Sequence, residues 1–217
     1  APSDEALRRD IELSMRAGFN GARLHQKVFE ERFHYWADKL GYITWGEAAS
    51  WGCEASDPLG NRQFHEEWTA IVERDRNYCS IVAWTPFNES QPRHDKDEHH
   101  RANQEVYDLT RRLDPTRPVN ENSGYVHIKT DLWTSHCYEQ DPQKLAAMMR
   151  PDANGQPFRS RPDDETDYTG QPYFCDEFGG IKWVRPEDRK DGDSWGYGKA
   201  PKDLDEFYER LEGLVKA

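Results

Sequence analysis

Apolar residues recur along this chain in two alternating rhythms. Leu7, Ile11 and Met15 fall on one helical face, with Ser3 placed to cap the helix and Gly18 to end it. The short strand NGARLH follows. Phe29, Phe33, Trp36 and Leu40 then mark a second helix that stops at Gly41, ahead of the strand YITWGE. Phe64, Trp68, Ile71 and Val72 predict a third helix before the strand SIVAW. Ala102, Val106, Leu109 and Leu113 predict a fourth, broken by DPTRP at 114–118. Weaker strand signals lie at PVNEN and DLWTSHCY, and a clear one at PYFCDEF. A short helix is expected over 141–149, and Leu204, Phe207, Leu211 and Leu214 stripe a terminal one. Six strands separated by helices or long connections imply a parallel sheet with helices outside it, either a βα barrel or a doubly wound sheet. No GxGxxG or P-loop follows a strand, which removes the usual nucleotide signatures of the second form. Residues 149–171 and 185–201, rich in Pro, Asp, Arg and Gly, read as long surface loops beside the strand ends.

Composition narrows this picture. A chain of 217 residues holds one sizeable core, so residues 1–217 are expected to form a single domain. With 41 acidic and 29 basic side chains the net charge is −12, which disfavours nucleic acid and anionic membrane surfaces as partners. The first 20 residues carry no apolar signal core, and no 18-residue apolar run occurs, so the expectation is a soluble chain, cytoplasmic or periplasmic. The 4 cysteines form no CxxC pair and read as buried free thiols. The 8 Trp, 10 Tyr and 9 Phe suit a sugar-binding cleft. The run HDKDEHH at 94–100 invites a metal reading, but an unbroken charged run is better taken as a solvated loop, and no metal or cofactor is expected.

Two strands carry a distinctive ending. AWTPFNE delivers Glu89 and YFCDEFGG delivers Glu177, each where an apolar run stops. In a parallel barrel the C-terminal strand ends converge on one mouth, so carboxyls remote in sequence face each other there. Two carboxyls about 5–5.5 Å apart are what hydrolysis of a glycoside with retention requires. Taken singly, a strand-end glutamate is usually only a solvated end.

The ordered motifs GFNGARLHQK, YWADKLGYITWGE, SIVAWTPFNES, DPTRPV, SHCY and DEFGGIKW, spread from Asp4 to Trp183, resemble glycoside hydrolase family 2, the β-galactosidase and β-glucuronidase group. The resemblance implies a (β/α)8 TIM barrel, here incomplete, with the second to seventh strands recognisable and no candidate for the first or eighth. It implies Glu89 as general acid/base, Glu177 as nucleophile and Asn88 as a contact to the sugar 2-hydroxyl. Arg23 and His25 look like the pair lining the subsite floor, although a purely structural salt bridge is an equal account of Arg23. His136 and Tyr138 match substrate-facing positions, with a hydrogen-bonded core histidine as the competing account. Glu47 is read as a sugar ligand or a partner of Arg23, and Trp183 as a stacking platform. The implied activity is a retaining β-glycoside hydrolase, β-galactosidase-like, acting on an oligosaccharide or aryl glycoside. Two alternatives stand beside it: a β-glucuronidase, with Arg159, Arg161 and Lys182 as candidate cations for a uronate, and a carbohydrate-binding or scaffold fragment without turnover. The unclosed sheet edges are expected to promote a homo-oligomer.

Overall fold

The computed structural model describes residues 3–188 and 195–217. Its elements alternate as the sequence pattern predicts. Helix α1 (Asp4–Arg16) leads to β1 (Gly21–Arg23), α2 (Glu31–Leu40) to β2 (Ile43–Glu47), and α3 (Pro58–Asp75) to β3 (Ile81–Thr85) and β4 (Phe87–Asn88). Then come α4 (Lys96–Leu113), β5 (Asn122–Ser123), β6 (Trp133–Cys137), α5 (Pro142–Met148), β7 (Tyr173–Phe178), a 3-10 turn at Pro186–Asp188, and α6 (Leu204–Lys216). Ser3 caps α1 as expected, accepting a hydrogen bond from Ala6 N–H at 3.2 Å. Gly41 ends α2 in the left-handed conformation, φ 69°.

Every strand pairing is parallel: β1 with β2, β2 with β3, β4 with β5, and β6 with β7. The predicted third strand is split because Pro86 has no N–H to give the ladder. Both halves still pair with the fourth strand position, through Trp84 N–H to Pro118 O at 3.1 Å and Phe87 N–H to Glu121 O at 3.1 Å. That gives six strand positions in chain order, curled so that Arg23 on β1 reaches Glu177 on β7 and the Trp45 ring on β2 meets Phe174 on β7 at 5.4 Å. Among the described residues β1 and β7 are not paired, so the barrel is open.

The largest core lies between the sheet and the α3–α4 pair. Trp68, Val72, Trp84, Phe87 and Val106 are buried there, each aliphatic or phenyl side chain worth about 1.5–3 kcal/mol. Both tryptophans satisfy their indole N–H, Trp68 on Thr110 at 2.8 Å and Trp84 on Asp114 at 2.9 Å. A second cluster joins α1 to α2 and a third seats α5 and α6 against β6.

Two expectations need correction. The 94–100 run is not a solvated loop: Asp95 caps α4, which begins at Lys96, and His99 is fully buried. The cysteines are all free, but only Cys137 is buried and Cys79 is exposed, so the thiols do not all pack as core hydrophobes. The fourth strand read weakly because residues 120–123 are polar yet fully buried. Glu121, for example, accepts from the Ile128 and Lys129 amides, which satisfies charge rather than apolar area. Residues 149–172 hold no helix or strand, as predicted. Of the 185–201 loop, residues 189–194 lie outside the described residues. No described helix is long and apolar enough to cross a membrane.

Candidate active site

Because the strands run parallel, their C-terminal ends share one rim, and the predicted polar residues meet there. Arg23 closes β1, Glu47 closes β2, Asn88 closes β4, His136 lies near the end of β6 and Glu177 near the end of β7. Arg23 is the hub. Its guanidinium donates to Glu47, to Glu177 and to Asn88 Oδ1 at 3.1 Å. Burial opposes its charge, but Glu47, Asp176 and Glu177 outweigh that and raise its pKa. Glu47 also accepts from Gln26 N–H at 2.9 Å and lies 3.3 Å from His25 Nδ1. Its hydrogen bond to His25 raises the pKa of that half-exposed imidazole.

Glu89 follows Asn88 with φ 50°, left-handed backbone that a glutamate seldom adopts. Its neighbours hold it there. Glu89 N–H donates to Ser123 O at 3.0 Å, Ser90 N–H to Asn122 Oδ1 at 2.9 Å, and Asn122 Nδ2 to Ser90 O at 2.7 Å. The turn aims the Glu89 carboxylate at His136 Nδ1, 2.7 Å away. On its other side His136 Nε2 lies 3.4 Å from Glu177. One carboxylate oxygen of Glu89 and one of Glu177 are therefore within 4.8 Å of each other, with the imidazole touching both. Gly124, φ 76°, permits this approach, since a Cβ there would fall 2.1 Å from the His136 ring.

Glu177 is held as a carboxylate. Burial pushes its pKa up, but His136, Arg23 and the donated Tyr138 hydroxyl outweigh burial, and the net shift is downward. Tyr138 is correspondingly pushed up, first by burial and then by its bond to Glu177. Beneath them Asp176 is shifted the opposite way, because its burial dominates the attraction of His136 and Arg23. Glu89, His136 and Glu177 form the one grouping of three potential metal ligands among the described residues, and Arg23 already supplies Glu177 with a counter-charge. The histidines of the 94–100 run diverge instead, His99 to Ser90 Oγ and His100 to Asp164 O.

Comparison with known proteins settles the lineage. The description "Glycosyl hydrolases family 2, TIM barrel domain" matches residues 2–180. The chain belongs to glycosyl hydrolases family 2. Among curated relatives, a β-galactosidase of Pseudoalteromonas haloplanktis is 32% identical over 141 residues, covering 61% of this chain and 13% of that protein. The "Beta-galactosidase 2" of Enterobacter cloacae is 32% identical over 139 residues, 59% of this chain and 13% of its own length. The chain thus spans about an eighth of these relatives. Solved structures share the fold: a β-glucuronidase from an uncultured Clostridium sp. superposes with TM-score 0.71 at 18% identity, covering 99% of this chain and 38% of that one. A β-galacturonidase from Eisenbergiella tayi, bound to galacturonate, gives 0.70 at 19%, covering 98% and 37%.

Within this family 2 chain, the residues read from sequence do not all converge. Arg23, His25, Glu47, Asn88, Glu89, His136, Tyr138 and Glu177 join one network. Trp183 packs its ring on Phe207 of α6 at 5.6 Å, a contact that docks the terminal helix. Two of the three candidate uronate cations are engaged elsewhere: Arg159 pairs with Glu165, and Arg161 lies over the Tyr125 ring. Sequence reasoning missed Asp176 and Ser123. Strict alternation sends Asp176 to the face opposite Glu177, but a bulge between Ser135 and His136 turns both toward Arg23 and His136. The hydrogen bond from Ser123 Oγ to Asp176, 2.6 Å, then anchors that turn. Nothing in a single sequence signals a bulge.

Proposed function

We propose that this chain carries the catalytic centre of a retaining β-glycosidase whose preferred terminal sugar is β-galactose. The observation that carries the reading is the pair Glu89 and Glu177, oxygens within 4.8 Å across one imidazole, in the range that favours direct attack rather than an intervening water. Glu177, kept ionised by Arg23 and Tyr138, attacks the anomeric carbon while the glycosidic C–O bond breaks and Glu89 passes its proton to the leaving oxygen. Glu89 then takes a proton from water, whose oxygen attacks the same carbon and releases Glu177. Asn88 is buried, its Oδ1 held by Arg23, and its Nδ2 has no hydrogen-bond partner among the described residues. That donor suits the sugar 2-hydroxyl, where a bond strengthening in the transition state accelerates the reaction. The galactoside preference is supported by the names of the curated relatives.

A panel of nitrophenyl β-glycosides, including galactoside and glucuronide, tests both parts. The galactoside is expected to be hydrolysed, with Glu89→Gln and Glu177→Gln each lowering kcat roughly 10²–10⁴-fold. A 2-fluoro glycoside should label Glu177. Rates unaffected by either substitution would eliminate the mechanism, and preference for the glucuronide would eliminate the sugar assignment.

A further inference from the structure

Glu89 stands at the outer end of an unbroken line of polar contacts. Its Oε1 lies 2.7 Å from His136 Nδ1, His136 Nε2 lies 3.0 Å from Ser123 Oγ, and Ser123 Oγ lies 2.6 Å from Asp176 Oδ2. Beyond Glu89 the line is closed to solvent. The side chains of His136 and Asp176 are 2% and 6% exposed, and Ser123 is fully buried. Glu177 Oε1 is 3.4 Å from the same Nε2, so the Ser123 hydroxyl is the nearer partner of that nitrogen.

The hydrogens admit two arrangements. A neutral imidazole carries one N–H and a serine one O–H, so one additional proton satisfies every contact in either direction. With that proton on Asp176, the carboxyl donates to Ser123 Oγ, Ser123 donates to Nε2, and Nδ1–H donates to the Glu89 carboxylate. With it on Glu89, each hydrogen bond is reversed and Asp176 is the carboxylate. Passing between them breaks one O–H or N–H bond for each that forms and moves one negative charge between the two acids, with the imidazole neutral at both ends. The surroundings suit both. Burial favours the neutral form of Asp176 against His136, Arg23 and Ser123, with Glu177 on the side of burial. Arg23 Nε has no hydrogen-bond partner among the described residues and lies 3.7 Å from Asp176 Oδ2, where it faces the charge when that carboxyl ionises.

We propose that Asp176 is a positioning residue for the proton of Glu89: it stores that proton away from solvent and returns it through Ser123 and His136 before the glycosidic bond breaks. The inference rests on the glycosidase reading above and adds a source for the proton that Glu89 passes on. The proton that Glu89 later takes from water reloads the line.

Asp176→Asn keeps the shape of the side chain but has no acid proton to release, and Ser123→Ala opens the line between its ends. Two β-glycosides of one sugar separate the outcomes: the phenyl glycoside, whose leaving oxygen needs a proton, and the 2,4-dinitrophenyl glycoside, whose leaving group departs as the anion. Each variant is expected to lower kcat/KM for the phenyl glycoside roughly 100-fold, and at least tenfold more than for the dinitrophenyl glycoside. Equal losses on both, or none on the phenyl glycoside, overturn the relay. Infrared spectra with carbon-13 aspartate need no turnover. At pH 7 the parent chain should show an un-ionised aspartic acid carbonyl that Asp176→Asn lacks, and Glu89→Gln, which removes the other site for the proton, should strengthen it. A band absent from the parent chain, or one that fails to strengthen in Glu89→Gln, overturns the proposal. If the band behaves as expected while the parent chain hydrolyses neither glycoside, the glycosidase reading falls and the shared proton stands.

Discussion

Tyr138 and Arg23 act on one carboxylate from two sides, and each stabilises its charged form. Removing the Tyr138 hydroxyl with Tyr138→Phe deletes a donor to Glu177 while leaving the ring in place. The Glu177 pKa lies below its ordinary value, so losing a group that favours the anion moves it upward, and the acid limb of kcat/KM moves to higher pH. The rate on the neutral plateau should also fall roughly 10- to 100-fold, the worth of one hydrogen bond to a charge. A limb that stays put in the variant would refute this role for Tyr138. The left-handed backbone at Glu89 is a second residue-level feature, and no propensity argument finds it. It follows from Asn122 and Ser123, a strand away.

Helix α4 shows how an element outside the strand-end rim supports the candidate site. His99, one turn into the helix, is fully buried and holds Ser90 Oγ at 2.9 Å, directly after Glu89. Burial, with help from the neighbouring His100, lowers its pKa from 6.5 to about 4 against the pull of Glu54 and Asp164. The unfolded chain therefore binds the extra proton first. Stability from this group is complete above about pH 6.5 and is lost as pH falls toward about 4, a total of about 3 kcal/mol. Urea unfolding at pH 7 and pH 4.5 should show a larger drop for the parent chain than for His99→Gln, which cannot titrate. Identical drops would show that His99 contributes nothing to acid sensitivity. In sequence this histidine looked like part of a charged surface run, because its helical neighbours Asp97, Glu98 and Arg101 conceal that the α4 stripe includes it.

At the scale of the whole molecule, the described β1 and β7 edges leave a seam between them. Ile43, Val82, Phe174 and Phe178 lie on strands yet remain 42%, 38%, 43% and 41% exposed. Their burial against a partner surface is favourable at about 25 cal/mol per Å², and among the described residues the outer edges of β1 and β7 have no strand partner and offer backbone donors and acceptors. We expect the chain to self-associate, with a light-scattering mass above 25.4 kDa that falls in Phe174→Ser. A strictly monomeric parent chain would rule this out. The periodicities alone were enough for five of the six strand positions, the order of helices and the location of Glu89 and Glu177 at strand ends, because burial imposes those spacings locally; the polar fourth strand gave only a weak signal. Which side chains touch is a different matter. The turning of Asp176 beside Glu177, the sharing of His136 between two carboxylates and the departure of Trp183 to α6 all depend on pairing between segments distant in the chain. That pairing is set by register and curvature, which no residue's own neighbours encode.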